Sequence, residues 1–213
     1  MAAPSDNSRE KSSKNLSTPT GEGIVIDIGT GDGRFVSALA RKNPNKFFIG
    51  VDANRKLLEK PSMRATRKPA KGGLPNAMFV QAAVEGLPEE FDGVADEIHI
   101  HFPWGSLLRA VALGDEVVLH SLRRIAAPGC TLEIVIGIDP ERDRTELNRL
   151  GIPVLDDPYI RSSLVPRYHS AGFSVSEIGH LPPEEWSRLE TSWAKKLSSG
   201  RGRGVAYLLF SAT

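Results

Sequence analysis

Hydrophobic positions along the chain follow two different periods, and the two periods alternate. Short runs rich in valine, isoleucine and phenylalanine predict seven strands, at 24–28, 46–51, 77–82, 96–102, 130–138, 173–178 and 205–211. Between them, apolar residues spaced three or four positions apart predict helices at 33–42, 54–67, 105–112, 115–125, 141–149 and 183–197. Strands that alternate with helices form a doubly wound α/β fold with a mostly parallel sheet, whose ligand binds at the carboxyl ends of the strands.

The start of the chain differs from the rest in composition. Residues 1–22 are rich in serine, lysine, asparagine and proline without an apolar period, so we expect a flexible leader there and a single domain at 23–213. No apolar run has the length needed to cross a bilayer, and no secretory signal is visible. The single cysteine, Cys130, excludes an internal disulfide. We therefore expect a cytoplasmic protein with no membrane partner, and we take it to be a monomer.

Charge is segregated along the chain although the net charge is only +1. A basic run occupies residues 55–71, where seven lysines and arginines face the lone Glu59, and a second basic cluster lies near the C-terminus. One such run is usually a solvated helix face. Two runs with tryptophan nearby favour a nucleic-acid partner instead. The basic residues are Arg55, Lys56, Lys60, Arg64, Arg67, Lys68 and Lys71, then Arg188, Lys195, Lys196, Arg201 and Arg203.

A glycine-rich loop, Asp-Ile-Gly-Thr-Gly-Asp-Gly at 27–33, follows the first predicted strand. Glycines there allow a tight turn and let a ligand approach the backbone. Arg34 replaces the third glycine of a dinucleotide fingerprint, so pyrophosphate binding is disfavoured. The acids of the loop repel phosphates but suit the cationic amino-acid end of a sulfonium cofactor. The loop therefore predicts S-adenosylmethionine as the ligand, bound through Asp27, Gly29, Thr30 and Gly31.

Two further strand ends carry candidate cofactor ligands. Asp52 ends the second strand, where an acid can accept hydrogen bonds from both ribose hydroxyls. Ala83 and Glu85 follow the third strand, where we expect backbone groups and the Glu85 carboxylate to lie beside the adenine of the cofactor. Each acid alone could instead cap a helix or stabilise a turn, and for Glu85 alone the sequence favours neither interpretation. Their order along the chain favours the cofactor site.

The fourth strand runs into Phe-Pro-Trp-Gly-Ser-Leu-Leu at 102–108, where such folds place the reacting group of the substrate. Enzymes that methylate exocyclic amines usually carry Asn or Asp before Pro-Pro and an aromatic residue, and that leading group is missing here. A ring nitrogen such as adenine N1 has a free lone pair and needs positioning but no general base. An unpaired or flipped base would be held between aromatic rings. We predict that Pro103, Trp104 and Trp193 form this acceptor site, and that Trp186 belongs to the core.

Two histidines and the cysteine are candidate metal ligands. His99 and His101 point to one face of the fourth strand, but no third ligand lies at a helpful spacing in the sequence. Cys130 begins a predicted buried strand, which is typical of a small core residue. We expect no metal.

With these residues in view, the chain resembles the aminoglycoside-resistance methyltransferases that modify N1 of adenine 1408 in 16S rRNA. The resemblance runs from about residue 24 to the C-terminus and rests on DIGTGDGR at 27–34, KPAKGGLPN at 68–76, FPWGSLL at 102–108 and SWAKKL at 192–197. It implies a Rossmann-like class I S-adenosylmethionine-dependent methyltransferase with a seven-stranded mostly parallel sheet. It also implies a reaction on 16S rRNA in the 30S subunit that confers aminoglycoside resistance.

The resemblance also implies roles for individual residues. Asp27, Asp52 and Glu85 would bind the cofactor, Trp104 and Trp193 the flipped adenine, and Thr191 would lie at the cofactor site in support of the second tryptophan. The rRNA phosphates would contact Arg67, Lys68, Lys71, Lys196, Arg201 and Arg203, which agrees with the charge map because folded rRNA is recognised largely by shape and backbone.

The chain departs from the family in two places. Relatives begin with a short β-hairpin, whereas residues 1–22 show no alternating pattern, and an acid before the late strands corresponds to either Glu141 or Asp143.

Three alternative functions stay open. A tRNA guanine-N7 methyltransferase would carry an extra Asp-Pro before its tryptophan, and a small-molecule methyltransferase needs no basic clusters. The third is a non-catalytic RNA-binding module, which the intact Gly31, Asp52 and Glu85 disfavour.

Overall fold

The computed structural model describes residues 22–180 and 204–213. Within this part of the chain, seven strands form one sheet. The strands are β1 (Ile24–Ile28), β2 (Phe47–Asp52), β3 (Ala77–Gln81), β4 (Ala95–His101), β5 (Ala126–Ile138), β6 (Phe173–His180) and β7 (Gly204–Ala212). The helices are α1 (Arg34–Lys42), α2 (Arg55–Ala65), α3 (Gly105–Leu113), α4 (Glu116–Ile125), α5 (Arg144–Leu150), α6 (Asp157–Tyr159) and α7 (Val165–Ser170).

The strand order β3-β2-β1-β4-β5-β7-β6 confirms the predicted mostly parallel sheet. Strands β1 to β5 are parallel to one another, and β7 runs antiparallel between β5 and β6. The order changes direction between β1 and β4, because β2 and β3 lie on one side of β1 and the later strands on the other. Such a reversal opens a crevice at the carboxyl ends of the central strands, where doubly wound folds bind ligands.

Both faces of the sheet are covered by apolar packing. Val25 and Phe48 belong to a smaller core cluster with residues of α1 and α2, whereas Ile26 belongs to the larger cluster that also includes α3, α4 and β5. Alternate residues of β1 therefore serve opposite faces. In the larger cluster the rings of Tyr168 and Phe210 stack with centroids 4.4 Å apart. This packing fixes β1 and β4, the strands that carry the loops of the crevice.

Several predicted boundaries shift. The predicted helix at 54–67 ends at Ala65, since a short 3₁₀ turn, Pro69–Lys71, follows it. Strand β5 starts at residue 126 instead of 130, because Ala126 already pairs with Ala95 across an irregularity. The helical stretch from α6 through a π-helical turn, Ile160–Leu164, to α7 was not predicted.

The structure leaves some predictions untested. Residues 1–21 of the predicted leader and the helix predicted at 183–197 lie outside the described residues. Among the helices of residues 22–180, none is long and apolar enough to cross a membrane.

Candidate cofactor and acceptor site

A cavity of about 460 Å³ opens at the carboxyl ends of β1, β2 and β4. Its wall contains every cofactor and acceptor residue predicted from the sequence that the structure describes. These residues are Asp27, Gly29, Thr30, Gly31, Asp52, Ala83, Glu85, Pro103 and Trp104. The structure thus brings together side chains that are up to 77 positions apart in the sequence, from Asp27 to Trp104. Trp193 and Thr191 lie outside the described residues.

The loop after β1 is held tightly against its neighbours. The backbone N–H groups of Gly29 and Thr30 both donate to the Val51 carbonyl, at 2.8 and 2.9 Å. Gly29 has a φ of 77°, and a Cβ there would lie 2.7 Å from the Leu107 side chain. A side chain at this position would therefore strain the backbone and collide with α3. The sequence requires glycine here to keep the loop flat against the cavity.

Asp52 is anchored at the end of β2 by backbone donors. Its Oδ2 accepts from the Gly31 N–H at 2.9 Å, and its Oδ1 accepts from the Asn54 N–H at 2.8 Å. A carboxylate has about four lone-pair sites, so two remain for other donors. The predicted ribose ligand is thereby oriented and still has acceptor capacity.

Asp27 lies at the base of the cavity and is only 3% exposed. Burial raises the pKa of its carboxyl above the ordinary value, and the nearby His101 and His99 act in the opposite direction. A buried carboxylate in this position gains most from a cationic partner such as an ammonium group. Two further polar groups face this region: the Thr30 hydroxyl lies close to the Asp27 carboxylate, and His101 Nδ1 is buried without a hydrogen-bond partner among the described residues. These groups fit the charged amino-acid end of S-adenosylmethionine.

The acceptor segment leaves β4 through an unusual backbone conformation. Phe102 has a φ of 49°, the single positive value among non-glycine residues of the described chain. Its N–H donates to the Val135 carbonyl at 2.7 Å, and its side chain is buried. A left-handed phenylalanine is costly, and such residues concentrate at functional sites. The turn brings Trp104, 47% exposed, to the rim of the cavity immediately before α3.

A polar cluster on the α1 side of β4 was only partly foreseen. His101 Nε2 lies 2.5 Å from Glu133 Oε1, His99 Nδ1 lies 3.3 Å from the same oxygen, and His99 Nε2 lies 3.4 Å from Glu97. The reasoning that no third ligand accompanies the two histidines was wrong, because Glu133 of β5 places a donor atom within 4.8 Å of both. Only the pairing of β4 with β5 creates this neighbourhood, so the sequence spacing did not show it. Glu133 is hydrogen-bonded to both histidines, and His101 Nδ1 is left without a partner among the described residues.

The charges of this cluster are strongly coupled. Burial opposes the charged form of His99, but hydrogen bonds to Glu133 and Glu97 outweigh it and raise the pKa of His99 to about 9. The hydrogen bond from His99 lowers the pKa of Glu97 to about 2, with a further contribution from Lys46 at 2.6 Å. Although burial opposes it, contact with His101 and His99 holds the pKa of Glu133 well below its usual range. The cluster is therefore an array of buried charges beside the cavity.

Three of the predicted RNA-binding residues lie together at the surface. Arg67 follows α2, Lys68 directly precedes the 3₁₀ turn, and Lys71 is its last residue; all three are exposed. The chain turns back sharply here, since the N–H groups of Lys71 and Gly73 both donate to the Lys68 carbonyl. Lys196, Arg201 and Arg203 lie outside the described residues, as does Trp186.

Glu141 and Asp143, the two candidates for the family's acid before the late strands, have different surroundings in the structure. Asp143 accepts from the backbone N–H of Asp139 at 3.0 Å and precedes α5, whereas Glu141 is exposed.

The parallel sheet, the glycine loop after β1 and the anchored acid after β2 define a Rossmann-like class I S-adenosylmethionine-dependent methyltransferase. The family model for 16S rRNA (adenine(1408)-N(1))-methyltransferases, NpmA, matches residues 8–212, and the chain belongs to that family. This membership supports the main prediction over the guanine-N7 and small-molecule alternatives.

Individual relatives agree in sequence and in fold. A 16S rRNA (adenine(1408)-N(1))-methyltransferase from Streptoalloteichus tenebrarius is 38% identical over 181 residues, which make up 84% of this chain and 82% of the relative. The crystal structure of the aminoglycoside resistance methyltransferase NpmB1 is 49% identical, with a TM-score of 0.80 over 91% of this chain and 89% of that one. A mutant of the Catenulisporales acidiphilia family member, crystallised with its cosubstrate SAM, is 37% identical, with a TM-score of 0.83 over 91% of this chain and 87% of its own.

Proposed function

We propose that the chain acts as a cytoplasmic monomer on the assembled 30S subunit, where it methylates N1 of adenine 1408 of 16S rRNA and so confers aminoglycoside resistance. One observation carries the proposal: the exposed Trp104 stands at the rim of the same cavity whose base is Asp27 and whose wall contains Asp52. A base that stacks on Trp104 would lie next to a bound cofactor.

The cofactor supplies an electrophilic methyl group, and the residues of the cavity fix its position. Asp52 accepts from the ribose, Asp27 faces the ammonium, and Ala83 with Glu85 lies at the adenine end. Trp104, together with Trp193 and Pro103, holds the target adenine outside the RNA stack. Because different residues bind different parts of the cofactor, the polar groups of the cavity are spread over the ends of β1, β2 and β3.

The transfer itself needs no base from the protein. The lone pair of adenine N1 forms the new bond to the methyl carbon while the carbon–sulfur bond breaks, and the positive charge passes from sulfur to the adenine ring. No proton moves in this step. The protein contributes alignment and the exclusion of water, which are the effects expected of a cavity lined by apolar and aromatic groups.

We assign recognition of the RNA to exposed basic residues. Arg67, Lys68 and Lys71 are exposed at the 3₁₀ turn after α2, as positions for phosphate contacts require. We assign Lys196, Arg201 and Arg203 the same role and Thr191 a supporting role at the cofactor site.

The decisive experiment is transfer of tritiated methyl from S-adenosylmethionine to purified bacterial 30S subunits, followed by reverse-transcription mapping. Methylation at N1 blocks base pairing, so the proposal predicts one new stop next to adenine 1408. Subunits with guanine at position 1408 are the matched control and should take up no label. Free 16S rRNA should be a poorer substrate than the 30S subunit, since docking depends on the folded surface.

Other outcomes would redirect the assignment. Label without a stop at 1408 would place the reaction at another RNA site, and no label on any RNA would favour a small-molecule substrate. Analytical ultracentrifugation tests the monomer, which has a mass of 23.1 kDa.

A further inference from the structure

The charged side chains that line the cavity are mostly acids. Among the described residues that line it, Asp27, Asp32, Asp52 and Glu85 are acids, and His101 is the single basic residue. The amino-acid end of S-adenosylmethionine carries both an ammonium group and a carboxylate. Acids suit the ammonium and the sulfonium but repel the carboxylate. As the one basic side chain of the described wall, His101 is the residue best suited to complement the charge of the carboxylate.

The His101 ring is held in one position by its surroundings. Its Nε2 hydrogen-bonds to Glu133 Oε1 at 2.5 Å, and the other Glu133 oxygen accepts from the Tyr207 hydroxyl at 3.3 Å. The edge of Phe35 packs on the ring with centroids 4.5 Å apart. The side chain is only 2% exposed. Glu133 thus fixes which nitrogen of the ring faces away from β5.

The other nitrogen of the ring has no partner. His101 Nδ1 is shut off from water and makes no hydrogen bond to any described residue. Buried polar atoms are almost always satisfied, and an exception beside a ligand cavity indicates an atom that the ligand satisfies. Asp27 is close enough to interact electrostatically with His101 but is not hydrogen-bonded to it. A hydrogen bond from His101 Nδ1 to the ligand carboxylate would therefore satisfy both groups.

We propose that His101 binds the carboxylate of the cofactor's amino-acid end by donating its Nδ1–H, and that Glu133 is a positioning residue that accepts Nε2–H. The His101 ring then lies between two carboxylates, one from Glu133 and one from the ligand. Asp27 remains free for the ammonium group. This inference rests on S-adenosylmethionine being the cofactor of the proposed reaction, and neither His101 nor Glu133 was among the residues predicted from the sequence.

Calorimetric titrations with three ligands distinguish how the protein binds the carboxylate, the ammonium group and the rest of the cofactor. S-adenosylhomocysteine carries both the ammonium and the carboxylate, its decarboxylated analogue retains only the amine, and 5′-methylthioadenosine lacks the amino-acid end. For His101→Ala we expect the Kd of S-adenosylhomocysteine to rise about 10- to 100-fold, as for loss of a charge-assisted hydrogen bond. The Kd of the other two ligands should stay within about twofold, since neither offers a carboxylate to His101.

Further variants test the separate roles. Glu133→Gln should raise the Kd of S-adenosylhomocysteine by a smaller factor and leave the two other ligands unchanged, because it loosens the ring without removing it. His101→Gln keeps an N–H donor and should restore part of the affinity. His120→Ala, on the exposed surface of α4, is the matched control. Unchanged binding of 5′-methylthioadenosine shows in each case that the variant is folded.

Two results would overturn the inference. S-adenosylhomocysteine binding by His101→Ala within twofold of the wild type would show that Nδ1 makes no such contact. An equal loss for S-adenosylhomocysteine and its decarboxylated analogue would show that His101 acts through Asp27 and the ammonium. If the wild-type chain bound none of the three ligands, the proposed function would fail together with this inference, whereas wild-type binding with an unaffected variant contradicts the inference alone.

Discussion

The backbone N–H of Gly31 donates to the Asp52 carboxylate at 2.9 Å, which ties the glycine loop of β1 to the end of β2. Asp52 also accepts from the N–H of Asn54, at the start of α2. One side chain therefore sets the spacing between two loops and still offers lone pairs to a ligand. The cofactor site depends on this connection as much as on the glycines themselves.

Substitution of Asp52 by asparagine should weaken cofactor binding. The asparagine amide offers one acceptor oxygen and would turn an N–H donor toward the N–H of either Gly31 or Asn54. Hydrogen bonds to a charged group contribute roughly 1.5–3 kcal/mol, so we expect the Kd of S-adenosylhomocysteine to rise about 10- to 100-fold by calorimetry. Asp92→Asn, which removes an exposed ion pair to Arg124, is the control and should leave the Kd unchanged. Equal affinities for Asp52→Asn and the wild type would contradict the ribose assignment.

Replacement of Trp104 by alanine should separate catalysis from cofactor binding. The indole is exposed at the rim of the cavity, so its loss removes a stacking surface without disturbing the core. Stacking contributes roughly 1–3 kcal/mol per base, which predicts a fall in kcat/KM on 30S subunits of about 10- to 100-fold or more. The Kd of S-adenosylhomocysteine should change by less than about twofold. Val117→Ala, an exposed apolar residue on α4, is the control. Normal turnover by Trp104→Ala would remove this residue from the acceptor site.

The strained backbone at Phe102 predicts an inverted order of stability. Any change that removes the buried ring costs packing energy, and alanine normally destabilises less than glycine. At a φ of 49°, however, glycine avoids a penalty of roughly 1–2 kcal/mol that alanine retains. We therefore expect Phe102→Gly to be more stable than Phe102→Ala by about 1 kcal/mol in urea denaturation. The usual order, with alanine the more stable, would show that the turn is not strained in solution.

Much of the architecture could be predicted from the local hydrophobic pattern, whereas contacts between residues far apart in the sequence could not. Asp52 and Ala83 could be placed at the cavity because each directly follows an apolar strand, and parallel strands end at the same edge. Glu133 could not, since its position beside His101 depends on the register between β4 and β5. The helical stretch from α6 to α7 was missed because Pro158 and Pro166, which interrupt the apolar pattern, stand in the first turns of the two helices.

Exposed basic residues at the 3₁₀ turn after α2 should contribute salt-dependent affinity for the 30S subunit. Removal of one phosphate contact lowers the slope of log affinity against log salt by roughly 0.7–0.9. We expect this change for Lys71→Ala, and a larger loss of affinity for Lys71→Glu because the new charge repels the backbone. Fluorescence titrations of labelled protein between about 50 and 200 mM salt measure the slope. Arg161→Ala, an exposed arginine on the π-helical turn before α7, is the control. Equal slopes for Lys71→Ala and the wild type would remove Lys71 from the RNA interface.

The charge array of β4 predicts a defined window of maximum stability. The pKa of His99 is raised from 6.5 to about 9, so its favourable interactions are fully present below pH 6.5 and are lost as the pH rises through about 9. The pKa of Glu97 is lowered from 4.5 to about 2, so its contribution is present above pH 4.5 and is lost as the pH falls through about 2. Both contributions are complete between about pH 4.5 and 6.5, and stability should fall on either side.

The loss of stability above pH 6.5 reports on His99. This side chain faces Glu97 and Glu133, and Asp27 is nearby. A shift of one pKa unit corresponds to about 1.4 kcal/mol, so the free energy of unfolding should fall by up to about 3 kcal/mol between pH 6.5 and about pH 10. His99→Asn should be less stable than the wild type at pH 6 and should lose much less stability between pH 6 and 9, since the group that titrates is gone. Urea denaturation at several pH values measures both slopes, and His120→Asn on α4 should retain the wild-type slope. If His99→Asn keeps the full alkaline slope, another group carries it and the array does not hold a charged His99.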